Sequence, residues 1–201
     1  MKKTDVIYPL IIGELIALIF LGISSSLDLP KAILGVAKFF PVILPILSVI
    51  GVFIAQFIGK KFPALFQLAK FVLVGALNTF IYLGVLNLLM ALFGISRENL
   101  SYPVFVAVSF CFSVVNSYFW NKFWTYEKKD TGVRGLEFGK FFVITGIGFF
   151  LNTGIASLIF NAVGPQFGLA LNVWANVAAI AATICVFMWN FLGYKFIVFK
   201  K

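Results

Sequence analysis

Long apolar runs separated by short polar breaks fill this chain from end to end, and the spacing of the breaks sets its architecture. A helix needs roughly 20 apolar residues to cross the hydrocarbon core of a bilayer. Six stretches reach that length: 6–27, 39–59, 70–93, 101–121, 140–163 and 170–193. In lipid the backbone must satisfy its own hydrogen bonds, so each stretch is predicted to be a helix. Turn-forming residues mark the gaps, at Asp28-Leu29-Pro30-Lys31, Gly94-Ile95-Ser96-Arg97-Glu98-Asn99 and Gly164-Pro165-Gln166. The expected fold class is an all-α membrane protein with about six transmembrane helices, and Pro41 and Pro45 predict a kinked or delayed start to the second.

The apolar pattern also repeats. Lys70-Phe71-Val72 opens one helical hairpin and Lys140-Phe141-Phe142 opens another. The first closes with Ser117-Tyr118-Phe119-Trp120-Asn121-Lys122-Phe123-Trp124-Thr125-Tyr126. The second closes with Asn190-Phe191-Leu192-Gly193-Tyr194-Lys195-Phe196-Ile197-Val198-Phe199, which aligns with it without a gap. The chain therefore divides into an N-terminal helix pair, 1–62, and a core, 63–201, built from repeats at about 70–126 and 140–199. Each hairpin holds an even number of spans, so the two have the same orientation. A duplicated hairpin with cationic feet suits a transporter-like or lipid-handling protein rather than a soluble enzyme.

Composition sharpens this picture. The chain is 62% hydrophobic and 11% charged, with mean hydropathy +1.05, whereas soluble domains carry about a quarter charged residues. The spans leave no room for a separate soluble catalytic domain. Histidine is absent, and Cys111 and Cys185 sit in apolar runs without metal-ligand spacing. They are expected to be buried as small apolar packers rather than to serve zinc or redox chemistry. The net charge of +9 lies at span ends rather than on one continuous face, which fits topology rather than nucleic acid. With both termini in the cytoplasm, thirteen of the sixteen Lys and Arg lie inside, leaving Lys31, Lys38 and Arg97 outside. A multi-pass protein of a bacterial-type cytoplasmic membrane is expected. Residues 1–27 also match a signal peptide, with Lys2-Lys3 ahead of an apolar run and Ser24-Ser25-Ser26 after it. The length of the run and Glu14 within it favour a retained helix. The mixed charges Glu127, Lys128, Lys129, Asp130, Arg134 and Glu137 predict a solvated cytoplasmic link that anchors topology.

Candidate chemistry lies at the feet and along the spans. Lys70, Lys140, Lys122 and Lys195 take equivalent places at the starts and ends of the hairpins. If the hairpins pack together, four ammonium groups at one depth could hold a phosphodiester. The structural alternative is that they snorkel to the interface and set topology, which weighs more for Lys70 and Lys140. Asn78-Thr79 and Asn152-Thr153, with Asn116, Asn121, Asn172, Asn176 and Asn190, offer a polar lane, or else interhelical glue. Asn116 and Asn190, just inside the feet, are the first choices for head-group contact. Trp120, Trp124, Tyr118, Tyr126, Trp189 and Tyr194 fit an interfacial aromatic belt, with sugar stacking on Trp120 or Trp189 a secondary role. Glu14, the lone acid in a predicted span, is a weak candidate for proton coupling or for pairing with a lysine. No acid pair, metal cluster or nucleotide motif GxxxxGK[ST] is present, so no enzyme activity, cofactor or ATP drive is expected.

At these motifs the chain resembles the GtrA-like family of small membrane proteins. The opening Lys70-Phe71-Val72-Leu73-Val74-Gly75-Ala76-Leu77-Asn78-Thr79 and the first closing motif carry the likeness, and Lys140-Phe141, Gly146, Asn152-Thr153 and the second closing motif repeat it. Three positions depart from the family pattern: Lys122 and Lys195 stand where arginine is common, and Ser117 where Asn is common. Lysine holds a phosphate as a point charge, without arginine's bidentate fork. The resemblance covers about 68–201 and leaves the N-terminal pair outside. It implies translocation of a polyprenyl-phosphate-linked monosaccharide for decoration of cell-surface polysaccharide or teichoic acid. The lipid-linked sugar and the surrounding membrane lipids are the implied partners. Similar four-helix units anchor polyprenyl-phosphate glycosyltransferases, so docking such an enzyme and presenting its lipid is the competing reading. A carrier of a small soluble solute is the third. The small size of the bundle is compatible with a homodimer.

Overall fold

The computed structural model describes residues 2–24, 26, 30–95, 100–125, 135–193 and 197. Helices account for almost all of them, and there is no strand among the described residues. The elements are α1 (Thr4–Ser24), α2 (Lys31–Ala37), α3 (Phe40–Gly59), α4 (Pro63–Phe93), α5 (Ser101–Trp120), α6 (Gly135–Ser157) and α7 (Leu171–Gly193). π-helical turns continue α5 over Asn121–Thr125 and α6 over Leu158–Val163.

Every expected span is helical, with boundaries set by local chemistry. α4 starts at Pro63, whose fixed φ and missing N–H suit a first helical position. Gly94 and Gly164 take positive φ (73° and 71°) where the sequence predicts turns, and the Gly164 N–H closes the π turn on the Ile159 carbonyl. The short helix α2 was not expected; it follows Pro30 inside the first predicted break. α1, α3, 65–93 of α4 and Phe142–Val163 are long and apolar enough to cross a membrane, and among the described residues α5 and α7 contribute the apolar stretches Ser101–Ser117 and Leu171–Phe187. The chain is a multi-pass helical membrane protein. The charged link 126–134 lies outside the described residues, as does the side chain of Glu137.

The helices group into two compact units, Met1–Gly84 with Val115–Lys129 and Val85–Val114 with Asp130–Lys201. In the first unit α1 packs along α3. Gly13 makes that approach close: a Cβ there would lie 2.6 Å from Pro45 Cα. Ile12, Ile16, Val52, Val74, Leu77 and Trp124 form its buried core, which brings the N-terminal pair onto the start of the first repeat. In the second unit α6 packs along α7. Small residues on α7, Ala175, Ala178, Ala179 and Ala182, are fully buried, the composition that lets helices approach where lipid supplies no hydrophobic drive. Tyr102 donates to the Ala175 carbonyl (2.7 Å) and stacks on Phe160 (3.9 Å). Asn87 and Asn176 exchange amide hydrogen bonds of 2.5 and 2.9 Å.

Cys111 and Cys185 are free and exposed, not buried as expected. Within a bilayer an exposed thiol would lose little, because lipid tails are as apolar as a protein core.

Candidate functional site

At the foot of the first repeat Lys70 is buried, and its Nζ lies 2.6 Å from Asp5 Oδ1. Trp124 donates its indole N–H to the same oxygen at 3.1 Å. The ammonium also sits over the Phe66 ring at 4.5 Å and the Trp124 ring at 5.4 Å. Tyr8 packs edge-on against Trp120 and Trp124. A charge in such apolar surroundings needs a counter-ion, and α1 supplies it from its first turn, where the helix dipole also favours a carboxylate. Lys70 therefore does not snorkel. Trp124, 1% exposed, is a core residue rather than part of an interfacial belt.

Sequence reading missed Asp5. The predicted first span began at residue 6, but α1 begins at Thr4, so Glu14 is not the only acid in that helix. The available signal was an acid in the first turn of an apolar helix. Glu14 is half-buried and has no ion-pair partner among the described residues.

Along the first repeat the polar side chains largely satisfy one another. Asn116 donates to Asn78 Oδ1 at 2.6 Å, and Trp120 donates to Asn116 Oδ1 at 3.1 Å. Thr79 donates to the Gly75 carbonyl at 3.1 Å. Asn121 donates to Ser117 Oγ at 3.1 Å, while Asn121 Oδ1 and Thr125 Oγ1, both in the π turn, are buried without a hydrogen-bond partner.

The second repeat is arranged differently. Lys140 is exposed on α6. With Gly139, Val143, Ile144, Ile147, Trp189 and Ile197 it lines a cleft of about 400 Å³ between the start of α6 and the end of α7. Trp189 donates its N–H to the Ile144 carbonyl at 3.0 Å, which fixes the ring in the cleft wall. Further along α6, Asn152 is 1% exposed and its Oδ1 has no hydrogen-bond partner; Thr153 Oγ1 and Asn190 Oδ1 are likewise buried and unpaired. Asn190 Oδ1 lies 3.4 Å from where a Cβ on Gly148 would be, so the glycine leaves room for the amide. Asn176 is spent on Asn87 and on the Asn172 carbonyl, and so acts as interhelical glue.

Among the predicted site residues, Lys195 and Tyr194 lie outside the described residues, as do Tyr126 and the side chains of Lys122 and Tyr118. The structure groups Lys70, Trp120, Trp124, Asn78 and Asn116 in one unit, and Lys140, Asn152, Thr153, Trp189 and Asn190 in the other.

Apolar helices in two hairpins, each with a lysine at its opening and amides along its length, define a polytopic membrane protein. The chain belongs to the GtrA/DPMS transmembrane-domain family, whose pattern matches residues 70–199. Membership links it to the handling of polyprenyl-phosphate sugars. No curated protein and no solved structure matches the chain.

Proposed function

We propose that this protein moves a polyprenyl-phosphate-linked monosaccharide across a bacterial-type cytoplasmic membrane for glycosylation of cell-surface polysaccharide or teichoic acid. The observation that carries this reading is the cleft at the opening of the second hairpin. Its walls are apolar apart from one exposed ammonium, that of Lys140, and Trp189 stands beside it. Apolar walls accept a prenyl chain, and an ammonium at the edge of low-dielectric surroundings attracts a phosphodiester more strongly than it would in water. A ring such as Trp189 can pack against a sugar face. In this reading Lys122 and Lys195, in the aromatic closing motifs, offer further cations to the phosphate, and both termini lie on the cytoplasmic side. Transport needs no covalent step, so no catalytic residue or cofactor is invoked.

Reconstitution tests this directly. Purified protein in liposomes with a polyprenyl-phosphate hexose should make the head group accessible from the opposite leaflet far faster than empty liposomes. Lys140→Ala should slow that exchange about tenfold, the worth of one charge-assisted contact, and Lys122→Ala/Lys195→Ala should reduce it further. Exchange no faster than in empty liposomes would replace this reading with glycosyltransferase docking. Recovery of the protein in complex with such an enzyme would then be expected.

A further inference from the structure

We infer that the second repeat alone carries a hydroxyl-recognising station for the head group, formed by Asn152, Thr153 and Asn190. The inference rests on the lipid-linked sugar reading above and adds where, and by what chemistry, the sugar is held.

A shift of 74 residues, one more than the 73 that align the closing motifs from Ser117 and Asn190, relates Asn78, Thr79 and Asn116 of the first repeat to Asn152, Thr153 and Asn190 of the second. Same residue types at matched positions make a controlled comparison. In the first repeat Asn78 Oδ1 accepts from Asn116, Asn116 Oδ1 accepts from Trp120, and the Thr79 hydroxyl donates to a carbonyl. In the second repeat all three corresponding oxygens are buried without a partner. Tyr194 now takes the place of Trp120 under this shift, and the nearby Trp189 gives its N–H to Ile144. Leaving a buried acceptor unmet costs about 1–3 kcal/mol, and native structures hold few such groups. Three of them at the sites that self-pair in the sister repeat mark a place built for something else to fill.

Their chemistry selects the occupant. Amide oxygens accept hydrogen bonds, and a threonine hydroxyl both donates and accepts. Sugar hydroxyls match that set. A phosphate, itself an acceptor, does not match the amide oxygens. Position supports the same assignment. Lys140, Ile144, Gly148 and Asn152 follow one another at four-residue steps on a slowly winding face of α6. From Lys140 the helix rises roughly 12 Å to Gly148, against which Asn190 lies, and roughly 18 Å to Asn152. That exceeds the span of a monosaccharide phosphate, so cation and amides are successive stations rather than one site. Asn152 also falls at the middle of the apolar stretch Phe142–Val163, where a sugar has reason to be only while crossing.

The test compares binding of two lipids to the purified full-length protein in detergent: a polyprenyl phosphate, and the same lipid carrying glucose. Wild type should prefer the glucosylated lipid by about tenfold, from two or more neutral hydrogen bonds. Asn152→Leu/Asn190→Leu should bring the ratio close to one while leaving binding of the bare phosphate unchanged. Thr153→Val, close to isosteric, should lower the ratio in the same direction and serves on its own if the leucine pair does not fold. Lys140→Ala should weaken both lipids and preserve the ratio, and Asn78→Leu should leave the ratio alone. Equal binding of the two lipids by wild type, or a ratio lost equally in Asn78→Leu, would overturn this station while leaving lipid handling intact. Failure of either lipid to bind would remove the lipid reading and this inference with it.

Discussion

The two repeats carry the same marks in sequence and use them in opposite ways. The first is closed on itself: its opening lysine is neutralised by Asp5, and its central amides bond to each other and to Trp120. The second is open: Lys140 is exposed, and the three matched polar oxygens have no partner. Two differences explain the divergence. α1 brings a carboxylate to Lys70, an anion that lies outside the repeated core. And Lys140 stands twelve residues before its Asn152, whereas Lys70 stands eight before Asn78. One extra helical turn, roughly 6 Å, separates the second lysine from its amide. A duplicated motif thus reveals less by its presence than by which of its copies finds partners elsewhere in the chain.

The strongest way to break this contrast is through the ion pair. Asp5→Ala removes the carboxylate counter-ion of a buried ammonium and should destabilise the protein by about 3–5 kcal/mol, read by unfolding in detergent. Lys140→Ala should leave stability within about 0.5 kcal/mol, as is usual for exposed sites. If both variants unfold alike, the first foot is no more closed than the second. The double variant Asp5→Leu/Lys70→Met should recover most of the loss, since a packed apolar pair can replace a buried ionic one.

The seating of α1 comes next. Gly13→Ala would place a methyl 2.6 Å from Pro45 Cα, and backbone cannot yield as a side-chain tip can. A cost of about 1–3 kcal/mol is expected, typical of overpacking. Gly154→Ala, with open space at its Cβ position, should cost nothing. Equal melting temperatures for the two alanine variants would show that α1 and α3 do not meet as closely as described.

The smallest effect sharpens the comparison most. Asn78→Leu removes a partner of Asn116 and should cost about 0.6–2 kcal/mol, the range for interhelical hydrogen bonds in membranes. Asn152→Leu removes a group that has no partner and should be neutral or stabilising. Opposite signs at matched positions are the expected signature, and a loss of stability at both would mean that Asn152 is glue after all.

The apolar runs made the helices legible because length and hydropathy alone decide what can span lipid. The repeat was legible because its motifs are aromatic-rich and recur in order. The family followed from the same residues and is shown by the match over 70–199. Pairings were not legible. Asp5 and Lys70 are far apart in sequence and no periodicity joins them, so the lysine read as an anchor or a ligand contact. Asn78, Asn116, Asn152 and Asn190 looked alike in sequence, and only the packing of their helices separates the satisfied amides from the unmet ones.

The Asp5–Lys70 pair also sets an order in time. Translation delivers α1 to the membrane well before α4, so the carboxylate is in place when the lysine arrives. α4, with its buried Lys70, is then met by a charge already waiting, which spares it a passage with a bare ammonium. Processing that removed the first helix would strip α4 of its counter-ion after assembly. Excising α1 should therefore be felt first at the birth of the protein rather than in its working cycle.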